Sequence, residues 1–133
     1  MLSRRSILLI STAFLAGGSA SARTARRNNA IKMFDTDADG TLDLDEVKKA
    51  AAALFARLDR DHDGTLDRRE LAGRLSARDL ASADPDHDGT LSLDEYLAIV
   101  EQRFNAANHD GDGTLDSKEL NAPAGRALLR LLN

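Results

Sequence analysis

The chain has 133 residues, a length that holds at most one small domain. It contains no cysteine, which excludes disulfides, thiolate zinc sites and a cysteine nucleophile. Aromatic residues make up only 4% of the chain and tryptophan is absent, so a core built largely from alanine and leucine would be thin. Such a domain often needs bound metal for stability. The formal net charge of −4 argues against direct nucleic-acid binding.

Residues 1–22 have the composition of an export signal. They contain no acidic residue, begin with the basic pair Arg4 and Arg5, and continue with an apolar run over 7–16 that is too short to span a membrane. The segment ends in Ala-Ser-Ala at 20–22, which is typical of a cleavage site. The residues around the arginine pair also fit a twin-arginine signal. We therefore predict a periplasmic protein without membrane attachment after cleavage, the alternative being an uncleaved anchor.

Cleavage after Ala22 would remove two arginines and no acid, which changes the formal net charge from −4 to −6. The next residues, 23–29, are basic and polar without an apolar period, and we predict a flexible arm there. Residues 30–133 form the predicted domain. It opens with Ile31 and Phe34, which stand three residues apart as on the core face of an entering helix.

Residues 35–46 fit the twelve-residue calcium loop of an EF-hand, D-x-[DN]-x-[DN]-G-x5-E, at every defined position. Aspartates at positions one, three and five turn inward to one point, and the glycine at position six permits a sharp turn that a Cβ would oppose. Position seven offers its backbone carbonyl, and the glutamate at position twelve closes the shell with both carboxylate oxygens. Leu42, at position eight, has no ligand role and is predicted to pack beneath the loop against a partner loop.

The same pattern recurs at 59–70, 84–95 and 108–119, with starts 24, 25 and 24 residues apart. We call the four segments loops one to four, and each has Asp-Gly-Thr-Leu at positions five to eight. Of the 22 acidic residues in the chain, 20 lie in these loops. This crowding makes the metal-free protein repel itself, so we expect folding to be coupled to metal binding.

Each loop has its own set of predicted metal ligands. In loop one they are Asp35, Asp37, Asp39, Thr41, Asp43 and Glu46, and in loop two Asp59, Asp61, Asp63, Thr65, Asp67 and Glu70. In loop three they are Asp84, Asp86, Asp88, Thr90 and Glu95, and in loop four Asn108, Asp110, Asp112, Thr114, Asp116 and Glu119. We expect loop four to bind most weakly, because Asn108 replaces a carboxylate at position one.

Only twelve, thirteen and twelve residues connect successive loops. Two separate helices and a connector would need about 25 residues, so one helix must leave one loop and enter the next. In the first and last connectors, apolar residues follow a helical period. They are Val47, Ala50, Ala51, Leu54, Phe55 and Leu58 in the first and Tyr96, Leu97, Val100, Phe104 and Ala107 in the last.

The middle connector is predicted to break into two short helices. Gly73 interrupts it, and residues 76–79 resemble a capping box with Asp79 in place of glutamate. A turn there would place loops two and three side by side and leave loops one and four as the other pair. After loop four, Pro123 is tolerated in the first turn of a final helix. The apolar face of that helix consists of Ala127, Leu128, Leu131 and Leu132.

The three histidines, His62, His87 and His109, lie at loop positions four, four and two, which point away from the metal. A transition-metal site needs several His or Cys side chains that converge, so we expect these histidines to face solvent. The chain has no glycine-rich phosphate loop and no nucleophile elbow, and the loop pattern accounts for its paired acids. We therefore predict that the protein is not an enzyme.

The export leader, the closely spaced EF-hand loops, Asn108 opening the fourth loop and the closing Pro-Ala-Gly-x-Ala-Leu helix at 123–128 together resemble the lanmodulin family. That family comprises periplasmic lanthanide-binding proteins of methylotrophic and related bacteria. The resemblance covers essentially the whole chain and implies a compact all-α EF-hand domain, with four metal loops on a small three-helix-type core and loops paired one with four and two with three. It also implies ordering on binding of up to four lanthanide(III) ions, selectivity over calcium, and a link to lanthanide uptake or to lanthanide-dependent methanol dehydrogenase.

The loop charges favour the same metal independently. Loops one and two each have five carboxylates at ligand positions, and loops three and four have four each. Lanthanides are close to calcium in size but carry one more unit of charge, so carboxylate-rich loops favour them more steeply. Because calcium outside the cytosol is not held at signalling levels, a carrier or scavenger is also a better interpretation of an exported protein than a calcium switch.

The proline that marks loop position two in this family occurs here only as Pro85, and Thr36, Arg60 and His109 stand in the other loops. A proline would stiffen the loop and help it to reject an ion that needs looser geometry. A second interpretation therefore stays open: a calcium-binding periplasmic EF-hand buffer or a calcium-dependent interaction module.

Overall fold

The computed structural model of the protein describes residues 29–133. The predicted export signal at 1–22, and all but the last residue of the predicted arm at 23–29, lie outside the described residues, so both stay predictions. Within residues 29–133, no helix is both long enough and apolar enough to cross a membrane.

Helices and two-residue strands alternate along the described chain. Residues 29–34 are helical and are called α1. The elements that follow are β1 (Leu42–Asp43), α2 (Leu44–Leu58), β2 (Thr65–Leu66), α3 (Arg68–Leu71), α4 (Ala77–Ala83), β3 (Leu91–Ser92), α5 (Leu93–Ala107), β4 (Thr114–Leu115), α6 (Ser117–Asn121) and α7 (Pro123–Leu129). The described chain is mostly helical, which confirms the predicted all-α class.

The two long helices, α2 and α5, each serve two loops, as the short connectors predict. Each has 15 residues and is about 22 Å long. Each begins at a capping box, in which the N-cap side chain accepts the N–H of a glutamate three residues on and that glutamate accepts the N–H of the N-cap residue. Asp43 caps α2 and Ser92 caps α5. Because each helix ends where the next loop begins, it fixes the distance between two loops.

The middle connector is broken, as predicted. The C-cap of α3 is Ala72, whose φ of 51° is left-handed, and Gly73 follows with a φ of 79°. Helix α4 starts after Ser76, whose hydroxyl accepts the N–H of Asp79 at 3.1 Å. Only this half of the predicted capping box forms, because the Asp79 carboxylate instead lies 3.5 Å from Arg103 on α5.

Two short antiparallel sheets set the pairing of the loops. Strand β1 pairs with β4, with Leu42 opposite Leu115, and β2 pairs with β3, with Leu66 opposite Leu91. All four leucines occupy loop position eight and are fully buried. These contacts confirm the predicted pairing of loops one with four and two with three, and the predicted packing of Leu42 against a partner loop.

The core lies between α2, α5 and α7, with α5 packed against both of the other helices. The rings of Phe55 and Tyr96 meet edge to face, with centroids 5.7 Å apart. The buried Tyr96 hydroxyl donates to the carbonyl oxygen of Leu131 at 2.7 Å and so ties α5 to the C-terminal turn. The apolar connector residues predicted to face the core are all buried or half-buried, and Ile99, which was not predicted, joins them.

The final helix starts at Pro123 as predicted but is shorter than predicted. It ends at Leu129, and Leu131 and Leu132 are buried in the turn that follows it. Gly125 lets α7 approach α6 closely, since a Cβ at this position would collide with the backbone of Glu119 and the following residue. Helix α7 therefore supports the helix that carries the last residue of loop four.

Candidate metal centre

In loops one, two and three, the aspartate at position one accepts hydrogen bonds from the backbone of its own loop. Its Oδ2 accepts the N–H of the position-six glycine, at 2.9 Å between Asp35 and Gly40, 3.0 Å in loop two and 2.8 Å in loop three. Its Oδ1 accepts the N–H of position five at 3.3 to 3.4 Å. The glycine has a φ between 77° and 82° in these loops, a conformation that glycine adopts without strain.

The threonine at position seven orients the aspartate at position five. Its N–H and its hydroxyl both donate to Oδ1 of that aspartate, at distances from 2.8 to 3.2 Å. The pairs are Thr41 with Asp39, Thr65 with Asp63, Thr90 with Asp88 and Thr114 with Asp112. The threonine N–H groups also hold the pKa values of Asp63 and Asp112 below their usual range. The loop motif predicts a backbone carbonyl ligand at position seven but not this role of the side chain.

Carboxylate oxygens come together in every loop of the described chain. In each cluster, one oxygen from every member lies within 4.8 Å of the others. The clusters are Asp35, Asp37 and Asp39 with the overlapping set Asp37, Asp43 and Glu46 in loop one, Asp59, Asp61, Asp63 and Glu70 in loop two, Asp84, Asp86 and Glu95 in loop three, and Asp110, Asp112 and Glu119 in loop four. Each cluster is a set of hard oxygen donors of the kind that calcium takes in proteins.

Three predicted carboxylate ligands, Asp67, Asp88 and Asp116, lie outside these clusters. Asp67 and Asp116 occupy position nine, where they cap α3 and α6 by accepting the N–H of the position-twelve glutamate at 2.8 Å. Asp43 makes the same cap in loop one and also lies in a cluster. Ser92 caps α5 in loop three at 3.2 Å. Position nine therefore serves the exiting helix in every loop, whether or not its side chain is acidic.

The glutamate at position twelve has both oxygens engaged in loops one and two. In all four loops one of its oxygens accepts the N–H of position nine, at 3.0 to 3.2 Å. In loop one the second oxygen, Oε1 of Glu46, accepts the N–H of Thr36 at 2.8 Å. In loop two, Oε2 of Glu70 accepts the N–H of Arg60 at 2.8 Å. These bonds connect the end of the loop to its beginning.

Loops three and four instead contain buried oxygens that have no hydrogen-bond partner among the described residues: Glu95 Oε2, Asn108 Oδ1 and Glu119 Oε1. Arg74 Nε is the one other buried side-chain atom of this kind in the described part of the chain. A buried oxygen without a partner costs free energy. A cation bound in these loops would supply that partner, so the residues present fit a metal ion.

The loop acids have no basic partners within residues 29–133. The two acidic residues outside the loops each form an ion pair, Glu101 with Lys48 at 2.8 Å and Asp79 with Arg103 at 3.5 Å. Among the described residues, no loop carboxylate forms a salt bridge with a basic side chain. The negative charge of the loops is therefore left for a bound cation to neutralise.

Neighbouring aspartates in loops one and three shift each other's pKa values. The hydrogen bond between Asp84 and Asp86 raises the pKa of Asp86 to about 6 and lowers the pKa of Asp84. A hydrogen bond with Asp35 likewise raises the pKa of Asp37, whereas the N–H of Gly40 lowers the pKa of Asp35. Protonation of this pair therefore competes with a cation for loop three at pH values near and below 6.

Position four of every loop has a left-handed backbone, which the loop motif does not predict. The φ angle is 60° at Ala38, 57° at His62, 54° at His87 and 68° at Gly111. A residue other than glycine costs about 1–2 kcal/mol in this conformation, so Gly111 is the one signal of it in the sequence. The side chains of His62 and His87 are exposed, as is that of His109, which agrees with their predicted orientation toward solvent.

Comparison with known proteins supports the EF-hand interpretation of the first two loops. A family model described as EF hand matches residues 29–50 and 51–76, which together contain loops one and two. No curated protein is significantly similar to the chain. The matches, the all-α fold and the acidic clusters of the paired loops together define an EF-hand metal-binding protein.

Proposed function

We propose that the protein is an exported, selective lanthanide(III) binder or carrier of the periplasm that becomes ordered when it binds metal. The observation that carries this proposal is the convergence of carboxylate oxygens in four loops whose acids have no basic partners among the described residues. Up to four ions bind, one in each loop. Loop four is the weakest site, because Asn108 brings no charge to position one.

Each loop holds its ion with oxygens from positions one, three, five, seven and twelve, as the EF-hand pattern assigns them. Position nine contributes directly in loop one, where Asp43 lies in a carboxylate cluster. In loops two and four, Asp67 and Asp116 cap helices and contribute through a bound water. Loop three has no carboxylate at this position.

The density of negative charge supports a trivalent ion over a divalent one. Coulomb attraction scales with the charge of the ion, so a carboxylate cluster distinguishes two ions of similar size by their charge. Neutralisation also removes the repulsion between loops that lie side by side in one sheet. Because these loops are attached to both ends of the core helices, binding free energy becomes folding free energy.

The proposed location and partners follow from the leader at 1–22 and from the resemblance to the lanmodulin family. An exported binder would take up lanthanide ions outside the cytosol. Its partners would be a lanthanide-uptake system or a lanthanide-dependent methanol dehydrogenase. The function we assign is binding, and no catalytic step is part of it.

A second candidate function is that of a calcium-binding periplasmic buffer or a calcium-dependent interaction module. Two observations favour it. Loops one, two and four lack the proline at position two that could stiffen them against calcium. Loops one and two also match the general EF-hand model, whose twelve-residue loop is a calcium loop.

Equilibrium dialysis against lanthanum and calcium together distinguishes the two candidates. The chain is dialysed against buffered free lanthanum in a large excess of calcium, and the bound ions per chain are counted by elemental analysis. A lanthanide binder retains lanthanum at up to four ions per chain, whereas a calcium buffer retains mainly calcium. A variant with glutamine at Glu46, Glu70, Glu95 and Glu119 is the control and should retain neither ion.

A further inference from the structure

Loop position two supplies no metal ligand, but its backbone contacts the glutamate that closes the loop. In loop one, the N–H and the hydroxyl of Thr36 donate to Glu46 Oε1 at 2.8 and 3.0 Å. The N–H of Asp37 lies 3.4 Å from the same oxygen. In loop two, the N–H of Arg60 donates to Glu70 Oε2 at 2.8 Å. A carboxylate oxygen held by such charge-assisted bonds is stabilised without any ion.

Loops three and four lack this contact for two different reasons. Pro85, at position two of loop three, has no N–H to donate. His109, at position two of loop four, donates its N–H to the carbonyl oxygen of Ala107 at 3.0 Å. The corresponding glutamate oxygens, Glu95 Oε2 and Glu119 Oε1, are buried and have no partner among the described residues.

We propose that the N–H at position two is a latch that competes with the metal ion for the closing glutamate and thereby lowers the affinities of loops one and two. The latch rests on the proposed function only in that the loops bind a hard cation, whether divalent or trivalent. A cation bound to Glu46 or Glu70 competes with the latch for electron density on the same oxygen, whereas at Glu95 the cation supplies a missing partner. The net stabilisation from such a hydrogen bond corresponds to a change of roughly threefold to tenfold in the dissociation constant of the ion.

The sheet topology turns the latch into a control of loading order. Each sheet joins one latched loop to one unlatched loop, because β2 pairs loop two with loop three and β1 pairs loop one with loop four. Within the β2–β3 sheet, the latch therefore delays the filling of loop two relative to loop three and offsets the one additional ligand carboxylate of loop two.

Matched substitutions at position two separate the latch from the charge and stiffness of the side chain. Arg60→Pro and Arg60→Ala both remove the guanidinium, but only proline also removes the N–H. His109→Pro and His109→Ala are the control pair, because proline also stiffens loop four but removes only the hydrogen bond to the Ala107 carbonyl oxygen and no contact with the closing glutamate. Pro85→Ala is the reverse change, since it adds an N–H at position two of loop three.

The affinity of each loop is followed by NMR through the amide resonance of its position-six glycine, during titration with lanthanum and separately with calcium. We expect Arg60→Pro to bind roughly threefold to tenfold more tightly than Arg60→Ala in loop two. The corresponding ratio for His109 should be close to one. Pro85→Ala should weaken loop three, which is observed through Gly89.

A second readout uses the partly loaded protein, in which metal in the other loops keeps the chain folded while loop two is empty. The amide proton of Arg60 should then exchange slowly with solvent, and Glu70→Gln should accelerate that exchange. Equal proline-to-alanine ratios in loops two and four, or an unprotected Arg60 amide in this partly loaded protein, would overturn the latch. If none of the glycine resonances responds to either ion, the proposed function fails instead.

Discussion

Loop four follows the same motif as loops one to three but starts differently. In the first three loops the position-one aspartate accepts N–H groups from positions five and six, as Asp59 does from Asp63 and Gly64. In loop four, Asn108 Oδ1 is buried and has no hydrogen-bond partner among the described residues. This difference assigns two roles to the carboxylate at position one, which is a predicted metal ligand and also accepts the hydrogen bonds that shape the loop.

Loop four also ends differently from loops one and three. Those loops lead into helices of 15 residues, whereas loop four leads into α6, which has five. Helix α7 packs directly on α6, with Gly125 against the backbone of Glu119. Because Glu119 closes loop four, the packing of α7 is part of the structure of this site.

The largest effect is expected from Gly125→Ala. The new Cβ would collide with backbone atoms of Glu119 and Leu120, which cannot move aside as a flexible side chain could. We expect a loss of about 3 kcal/mol in the free energy of unfolding of the metal-loaded protein, together with weaker binding in loop four. Chemical denaturation and loop-resolved NMR titration measure the two effects. Arg126→Ala, at the exposed neighbouring position, is the control and should leave both nearly unchanged.

The next largest effect is expected from Asp35→Asn. This change removes a charge from the first ligand position, so loop one should bind at least about tenfold more weakly. Asn108→Ala should weaken loop four by less, because Asn108 contributes neither a charge nor the loop-shaping hydrogen bonds. Loop-resolved titration compares the two variants, and the reverse order would contradict the minor role assigned to Asn108 in loop four.

Asn108→Asp tests the difference between loop four and the other loops by the opposite change, since it restores the carboxylate at position one. The new carboxylate should accept the N–H of Gly113, as the aspartates of the other loops do with their glycines, and should add one charge to the site. We expect loop four to bind about tenfold more tightly. A shift of the Gly113 amide resonance in the partly loaded protein, while loop four is still empty, reports the new hydrogen bond. An unchanged affinity would mean that the absent charge does not limit loop four.

The smallest expected effect concerns the proton in loop three. Because the pKa of Asp86 is raised to about 6 from an ordinary value of 3.8, the folded protein binds a proton between these pH values that the unfolded chain does not bind. This contribution to stability is present at low pH and is lost as the pH rises through about 6. The lowered pKa of Asp84 acts below 3.8 and does not cancel it.

The small amount of helix that remains in the metal-free protein should therefore be greater at pH 5 than at pH 7, as measured by circular dichroism. The affinity of loop three should fall over the same change, because the entering cation must displace the proton. Asp86→Asn removes the titrating group and should reduce both differences. A pH response of the same size in this variant would assign it to other groups.

Much of the fold could be predicted because the connectors are so short. The stretch between loops one and two has room for a single helix, so α2 had to serve both loops. Gly73 and the small polar residue Ser76 marked the one connector in which the helix is interrupted. Once that break is placed, loops two and three become neighbours, and loops one and four are left as the other pair.

The features that could not be predicted depend on atoms that the loop motif does not relate to one another. Asp67 fits a ligand position by sequence, yet its carboxylate caps α3. The N–H of Thr36 reaches a glutamate ten residues further along the chain. Gly125 lies against the backbone of Glu119 only because α7 turns back onto α6. Each of these contacts is a consequence of the folded backbone rather than of a residue type.

The most direct test of metal-dependent ordering is the helical circular dichroism signal of the chain, recorded after exhaustive chelation and then during titration with buffered lanthanum and, separately, calcium. We expect little helix without metal, and full helix at free lanthanum concentrations far below those needed with calcium. A fully helical protein after chelation, or equal midpoints for the two ions, would contradict this expectation.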